Sequence, residues 1–178
     1  MQWSACGGKL HPSPATAQEA LASIYGVEAL GIPDTTSAQS VPWPIAINGI
    51  TVSVTDSQNV SRSAGLVMVS PHQINFEVPV GTEQGTARIT ASNGLAQIVS
   101  VMKVQPVAPS LYRINEAGVA AATAFRRVIP SYIDSVLEVF HCLDTPESCV
   151  LVPINVGLDA PVYLSFYGTG IRNRSSLD

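Results

Sequence analysis

The feature that most constrains this chain is the alternation of apolar and polar residues with a period of two. Ile50, Val52 and Val54 alternate with hydroxylated side chains, and residues 73–78 and 86–91 follow the same pattern. Each stretch predicts a strand with one buried and one polar face, as in an antiparallel sheet. With turn signals every ~8–12 residues between them, these strands predict an all-β fold, and a sandwich or barrel within that class.

The turn signals lie between the predicted strands. Asn93-Gly94 predicts a hairpin, because Asn and Gly both tolerate positive φ, and residues 56–59 form a short polar turn sequence. Thirteen prolines argue against long helices, and only residues 15–23 have a weak helical pattern.

Apolar residues at the alternating positions predict the core of a sandwich between about residues 21 and 104. The predicted core residues are Ile24, Ile50, Val52, Val54, Val67, Val69, Ile74, Phe76, Ile89, Ile98 and Val101.

Pro106 and Pro109 predict a domain boundary, since proline ends the strand that precedes it. We therefore expect an irregular lead-in over 1–19, an immunoglobulin-like sandwich over 20–105, and a β-hairpin region with a partial second module over 106–178. Strands are predicted in the last region at 120–127, 135–142, 150–156 and 162–167. The similarity of residues 21–26 to residues 163–168 suggests two copies of one module.

Composition excludes several classes of protein. Apolar residues make up 46% of the chain and charged residues 12%, which is typical of a folded protein rather than a disordered one. No apolar run approaches the ~20 residues of a membrane-spanning helix. The net charge of −4 provides no basic surface for nucleic acid, so neither membrane insertion nor nucleic-acid binding is expected.

Motifs for catalysis, metals and cofactors are missing from the sequence. His11, His72 and His141 lie in unrelated contexts, and no pair of His or Cys residues has metal-ligand spacing. No nucleophile elbow, phosphate-binding loop or dinucleotide motif occurs, and Gly168-Thr-Gly170 is interpreted as a turn. We expect a protein that is not an enzyme and has no cofactor or metal.

Several segments carry a family resemblance. Residues 23–26 (Ser-Ile-Tyr-Gly), 49–56 and 69–79 (with Ser-Pro-His-Gln-Ile-Asn-Phe) occur in this order, followed by 142–154 and by 162–172 (with Tyr-Gly-Thr-Gly-Ile-Arg). Together they resemble the uncharacterised Solibacter-type C-terminal domain family of large secreted acidobacterial proteins.

This resemblance implies IPT/TIG-like immunoglobulin folds, usually at the end of a long exported chain, and no established biochemical activity. We therefore expect a structural or adhesion-type module of an exported bacterial protein, extracellular or on the cell surface. Its partners would be other domains of a longer parent chain, or a protein or polysaccharide. The alternative is a carbohydrate- or polymer-binding module of a secreted degradative system.

Residues 1–14 lack the apolar region of a secretion signal, so we expect any signal peptide to lie outside this sequence. The resemblance also implies further strands after Asp178. Residues 162–167 would then open a truncated second sandwich, pairing only with strands 135–142 or 150–156 and leaving an apolar face with Leu164 and Phe166 poorly covered.

Ser70, His72, Gln73 and Asn75 form the candidate binding loop. Their side chains could hydrogen-bond a sugar or a peptide, but Pro71 fixes a corner between two strands, where polar side chains satisfy the backbone. We favour this structural interpretation.

Two other features bear on sugar binding. The hydroxylated strand faces at 51–55 and 86–92 could form a flat sugar-binding surface, but sugars generally bind aromatic platforms. Of Trp3 and Trp43, the second lies between two prolines and is interpreted as a packing residue. An exposed aromatic pair on one sheet face would favour the carbohydrate-binding alternative.

Cys142 and Cys149 flank a predicted hairpin tip at residues 144–147. In an exported protein such a pair is expected to form a disulfide, and two reduced thiols on neighbouring strands are the alternative. Cys6 would then have no partner within the chain.

Overall fold

The computed structural model describes residues 15–115, 117–129, 131, 133–156 and 160–175. These residues form an all-β structure with several antiparallel sheets, as the alternation predicts. None of the helices among them is long and apolar enough to span a membrane.

The described residues fall into two compact units, residues 15–110 with 169–175 (the sandwich unit) and residues 111–168 (the second unit). The strands of the sandwich unit are β1 (Ala15–Thr16), β2 (Leu21–Tyr25), β3 (Thr36–Ser37), β4 (Ala46–Ile47), β5 (Ile50–Thr55), β6 (Ser61–Ser63), β7 (Gly65–Val69), β8 (Gln73–Glu77), β9 (Gly85–Ser92) and β10 (Gln97–Val104). The remaining strands are β11 (Ser110–Leu111), β12 (Ala122–Val128), β13 (Ile133–Leu137), β14 (Phe140–His141), β15 (Val150–Leu151), β16 (Val162–Phe166) and β17 (Gly168–Thr169), with β11 paired to β17. Glu28–Leu30 and Pro146–Ser148 are short 3₁₀ helices.

Two sheets form the sandwich. One has the strand order β1-β10-β9-β5-β4, with β6 also paired to β5, and the other has the order β2-β8-β7-β3. Apolar residues from both sheets form one buried cluster, in which Phe76, Leu66 and Ile74 are the largest fully buried side chains. Eight of the eleven predicted core residues are buried, namely Ile24, Ile50, Val52, Val54, Val69, Ile74, Phe76 and Ile89.

A β-bulge in β7 explains why Val67 is only half-buried. Leu66 pairs with Phe76 and Met68 pairs with Asn75, so Val67 is an extra residue on its strand. The bulge breaks the period of two and buries both Leu66 and Val69. The prediction that Val67 belongs to the core was therefore wrong, and Leu66 takes that place.

The core prediction for β10 was wrong at Val101. Val101 is 55% exposed, whereas Ile98 is half-buried and packs against the core, on the same face as the buried Met102 and Val104. Val101 pairs with Arg88, which lies on the outer face of β9. Because directly opposite residues on neighbouring strands share a face, Val101 must point outward as well.

Residues 15–23 form strands rather than the short helix that their pattern suggests. β1 pairs in parallel with β10, and β2 pairs with β8, on either side of a turn closed by a hydrogen bond from Ala20 N to Ala17 O. A segment this short is marginal as a helix, so pairing with two sheets outweighs its local preference.

The second unit contains a three-stranded sheet of order β13-β12-β16 and a two-stranded hairpin of β14 and β15. The predicted strand 135–142 is interrupted after Leu137, and only Val150–Leu151 of predicted strand 150–156 forms a ladder. The hairpin between β14 and β15 encloses the predicted tip at residues 144–147.

β16 pairs with β12 and not with either strand predicted as its partner. In this register Leu164 lies opposite Ala124, and Tyr163 lies opposite Phe125. The rings of Tyr163 and Phe125 stack on each other across the ladder. Leu164 and Phe166 remain 45% and 52% exposed, in line with the expectation of a poorly covered strand.

Candidate functional site

The candidate loop connects β7 to β8, and Ser70 closes it. Its hydroxyl donates to Gln73 O at 2.9 Å and accepts from Gln73 N at 3.0 Å, while Ser70 N donates to the same carbonyl at 2.8 Å. Ser70 is buried, so these bonds replace contacts that its backbone would otherwise make with water.

Gln73 and Asn75 belong to a polar network across β2 and β8. The Gln73 amide donates from Nε2 to Asn75 Oδ1 at 2.7 Å and to Ser23 Oγ at 3.3 Å, and Ser23 Oγ donates to Asn75 Oδ1 at 2.7 Å. Ser23 and Asn75 are directly opposite each other in the ladder. The network therefore joins the two resemblance segments 23–26 and 69–79 to one another.

His72 is the exposed member of the loop. Its Nδ1 lies 3.0 Å from Oε1 of Glu28, and both side chains are largely in solvent. The hydrogen bond with His72 lowers the pKa of the Glu28 carboxyl. Of the four predicted loop residues, Ser70, Gln73 and Asn75 are thus engaged within the fold, while His72 faces outward.

The predicted bond between Cys142 and Cys149 is present, with the Sγ atoms 1.94 Å apart and the Cα atoms 4.0 Å apart. It closes the β14–β15 hairpin around the 3₁₀ helix. Asn115 Nδ2 donates to Cys149 O at 2.9 Å and to Pro146 O at 3.2 Å, which anchors the hairpin to the rest of the second unit. Cys6 lies outside the described residues, as do Trp3 and His11.

Removing this disulfide is expected to lower the free energy of unfolding of the second unit by about 2–3 kcal/mol, because the closed loop of roughly eight residues restricts the unfolded chain. Urea unfolding of the C142S/C149A double variant in a C6S background, compared with C6S alone, measures the loss. A reducing agent should produce a similar loss in C6S and none in the double variant. Equal stability of the two proteins would contradict the prediction.

The hydroxylated faces of β5 and β9 lie side by side on the outer surface of the six-stranded sheet that contains both strands. Thr51, Ser53 and Thr55 of β5 alternate with a buried isoleucine and two buried valines, and the hydroxyl residues of β9 alternate with two buried alanines and a buried isoleucine. None of β5, β9 and β10 contains an aromatic residue. Trp43 is half-buried against β7, where a methyl group on Gly65 would come within 2.8 Å of Trp43 Cβ.

A shallow groove of about 280 Å³ lies at one end of this face, next to the turn that begins with Asp56. The Asp56 carboxylate is turned away from solvent and accepts from Gln58 N and Val60 N, each at 3.0 Å, from Glu83 N at 3.2 Å, and from Arg62 Nη1 at 2.6 Å. Burial raises the pKa of Asp56, but the four hydrogen bonds outweigh it and lower the pKa from 3.8 to about 2.

Because the pKa of folded Asp56 is depressed, its stabilisation is complete above about pH 4 and is lost as the pH falls toward 2. We expect D56N to lower the melting temperature by about 5–10 °C at pH 7, since Arg62 loses a buried anionic partner. This difference from the wild type should shrink between pH 4 and pH 2. D134N, at an exposed ion pair, is the control and should change little. A D56N deficit that is constant from pH 7 to pH 2 would contradict this account.

An aromatic pair that the sequence did not predict lies on the three-stranded sheet of the second unit. Phe125 and Tyr163 stack across β12 and β16, with ring centroids 4.8 Å apart and planes 15° from parallel. Arg127 Cζ lies 5.6 Å and 5.4 Å from the two ring centroids. The two aromatic residues are 38 positions apart in the sequence, and only the observed strand pairing brings them together.

Arg127 also forms a bidentate ion pair with Asp134 of β13. Its Nε and Nη2 each donate to a carboxylate oxygen at 2.8 Å. The hydrogen bonds from Arg127 lower the pKa of Asp134, and Asp134 in turn raises the pKa of Arg127. Both groups are therefore ionised at neutral pH, and their charges offset each other.

Comparison with known proteins identifies no relative, since no protein family, curated protein or solved structure matches this chain. Within the part of the chain that the structure describes, no three His, Cys, Asp or Glu side chains are grouped so that they could hold a metal ion. The assignment of a function therefore depends on the geometry above.

Proposed function

We propose that this chain is a non-catalytic structural module, of the adhesion type, within a longer exported bacterial protein. The observation that carries the proposal is the disulfide between Cys142 and Cys149. Disulfides form and persist in oxidising compartments and are rare in the cytosol, so this bond fits an extracellular or surface location.

The candidate loop supports a structural role. Ser70, Gln73 and Asn75 direct their hydrogen bonds to the hairpin itself and to Ser23 on the neighbouring strand. Polar groups engaged in this way fix the corner between β7 and β8 and the pairing of β8 with β2. The most distinctive segment of the family resemblance therefore has a role in folding that requires no ligand.

The resemblance to the Solibacter-type domain family supports the same proposal, because an all-β sandwich is the architecture that it implies. We extend the proposal to an IPT/TIG-like, immunoglobulin-like module whose partners are other domains of its parent chain.

A carbohydrate- or polymer-binding module is the second candidate. The pair of half-buried Phe125 and exposed Tyr163 on one sheet face is the kind of feature that favours it, because aromatic rings provide large apolar surfaces for recognition. This role is compatible with a non-catalytic module, since binding and structural support can reside in different units.

Cell fractionation of the source organism tests the proposed function. An antibody raised against the 178-residue chain should detect a band larger than this chain in the surface or medium fraction. A cytosolic enzyme and a periplasmic reporter serve as markers for leakage between fractions. Detection only in the cytosolic fraction would contradict export, and a band no larger than the chain itself would contradict membership in a longer protein.

A further inference from the structure

We propose that the face of β12, β13 and β16 that contains Phe125 and Tyr163 (the aromatic face) binds a single chain of a neutral polysaccharide. This inference rests on the second candidate function, and it adds the location of the site and the class of ligand.

Strand register defines the members of the aromatic face. Phe125 lies opposite both Tyr163 and Val136, and Thr123 lies opposite Ser165. Alternation along each strand then places Arg127 and Asp134 on the same side. The face thus combines two stacked rings, exposed hydroxyl groups and one ion pair on one three-stranded sheet.

Tyr163 is the residue best placed to contact a ligand. Phe125 stacks on one face of its ring, and β16 is the last strand in the order β13-β12-β16, so Tyr163 lies at the edge of the sheet. Tyr163 is 44% exposed. The C–H groups on one side of a pyranose ring can stack on such a surface, while Ser165 offers its hydroxyl group to the hydroxyls of the sugar. The hydroxyl of Thr123 already lies 3.2 Å from the hydroxyl of Tyr167.

The charges on the aromatic face favour a neutral ligand. A stacked pair of rings beside an arginine could also accept the bases of single-stranded nucleic acid, but such sites lie in positively charged grooves. Here Asp134 neutralises Arg127 through two hydrogen bonds, and the whole chain has a net charge of −4. Anionic polymers therefore gain no electrostatic attraction at this face.

The size of the aromatic face favours a narrow ligand. Three strands at ~4.8 Å spacing and five residues at ~3.3 Å give about 14 Å by 17 Å, or roughly 240 Å². A specific protein–protein interface buries about 800 Å² on each partner. One polysaccharide chain lying across the strands matches this area, whereas a folded protein or a second copy of this chain would need much more surface.

Affinity electrophoresis of the full 178-residue chain tests the proposal. The gels contain hydroxyethylcellulose, laminarin, galactomannan or soluble starch as neutral probes, with polygalacturonate and poly(dT) as anionic probes. We expect at least one neutral polysaccharide to retard the wild type, and neither anionic probe to do so. The Y163A variant should raise the dissociation constant about tenfold, whereas Y163F, which keeps the ring, should stay within about threefold.

Y25A is the matched control, because Tyr25 has the same 44% exposure and lies on β2 in the sandwich unit. It should bind as the wild type does, and thermal melting verifies that all variants are folded.

Three results would overturn the inference: no retardation by any neutral probe, retardation by an anionic probe alone, or equal losses of affinity in Y163A and Y25A. Self-association that Y163A abolishes would also overturn it and assign the face to a second copy. None of these results bears on export or membership in a longer chain, which fractionation tests separately.

Discussion

Replacing Gly170 with alanine is expected to lower the free energy of unfolding of the sandwich unit by at least about 3 kcal/mol. A β-carbon at this position would lie 2.0 Å from the carbonyl oxygen of Ala108, and Gly170 has a φ of +74°. Ala108 N also donates to Gly170 O at 2.9 Å, so the two backbones cannot separate without losing a hydrogen bond. Gly170 belongs to the Tyr-Gly-Thr-Gly-Ile-Arg segment, and this close approach is a physical reason for glycine there.

The matched control is G94A. Gly94 has a φ of +87°, but no atom lies within 4 Å of an added β-carbon. Its cost should therefore be limited to the conformational penalty of about 1–2 kcal/mol. Urea unfolding of both variants provides the comparison. Equal losses in G170A and G94A would show that contact with Ala108 does not constrain this position.

The second large effect is expected for L66A, which should destabilise the sandwich unit by about 2–5 kcal/mol through the loss of buried methyl groups and the cavity that remains. Leu66 is fully buried in the core next to Phe76, its partner across the ladder. V67A should cost less than about 1.5 kcal/mol, because Val67 is the half-buried residue of the bulge.

The pair of variants tests the register of β7 directly. An uninterrupted alternation from Val67 to Val69 would put Val67 in the core and Leu66 outside it, and the order of the two losses would then be reversed. Denaturation curves of the two variants under identical conditions distinguish these registers.

Local pattern was sufficient to predict the fold class and most of the core. Ile50, Val52 and Val54 are buried as predicted because β5 is paired on both sides and has no irregularity. The errors arose where local pattern does not determine which face of a strand is buried. The bulge at Val67 needs knowledge of the partner strand β8, and the phase of β10 is set by the register with β9.

The two Asn-Gly sequences show how far turn chemistry can be predicted. Asn93-Gly94 lies in the predicted hairpin, but the loop between β9 and β10 contains four residues. Asn93 does not have a positive φ, and its Oδ1 accepts hydrogen bonds from Leu95 N and Ala96 N. Asn48-Gly49 has positive φ at both residues and joins β4 directly to β5. The short length of β4 hid this hairpin from pattern analysis.

The aromatic face was beyond prediction from sequence for a different reason. The alternation at residues 162–167 predicted β16 correctly, but its partner was expected among residues 135–142 or 150–156. Pairing between distant strands is decided by the fit of whole sheets and not by local pattern. Phe125 and Tyr163 therefore became neighbours only once the order β13-β12-β16 was known.

The central claim, that this module functions outside the reducing cytosol, is tested most directly by the redox state of its cysteines in intact cells of the source organism. Cells are quenched in acid, and free thiols are then blocked with iodoacetamide in denaturant at about pH 8, where thiolates react. Disulfides are reduced next, the released thiols are labelled with a second reagent, and the peptides are identified by mass spectrometry. We predict that Cys142 and Cys149 carry only the second label, as members of the disulfide seen in the structure. Iodoacetamide on both cysteines would show reduced thiols in the cell and would contradict the claim.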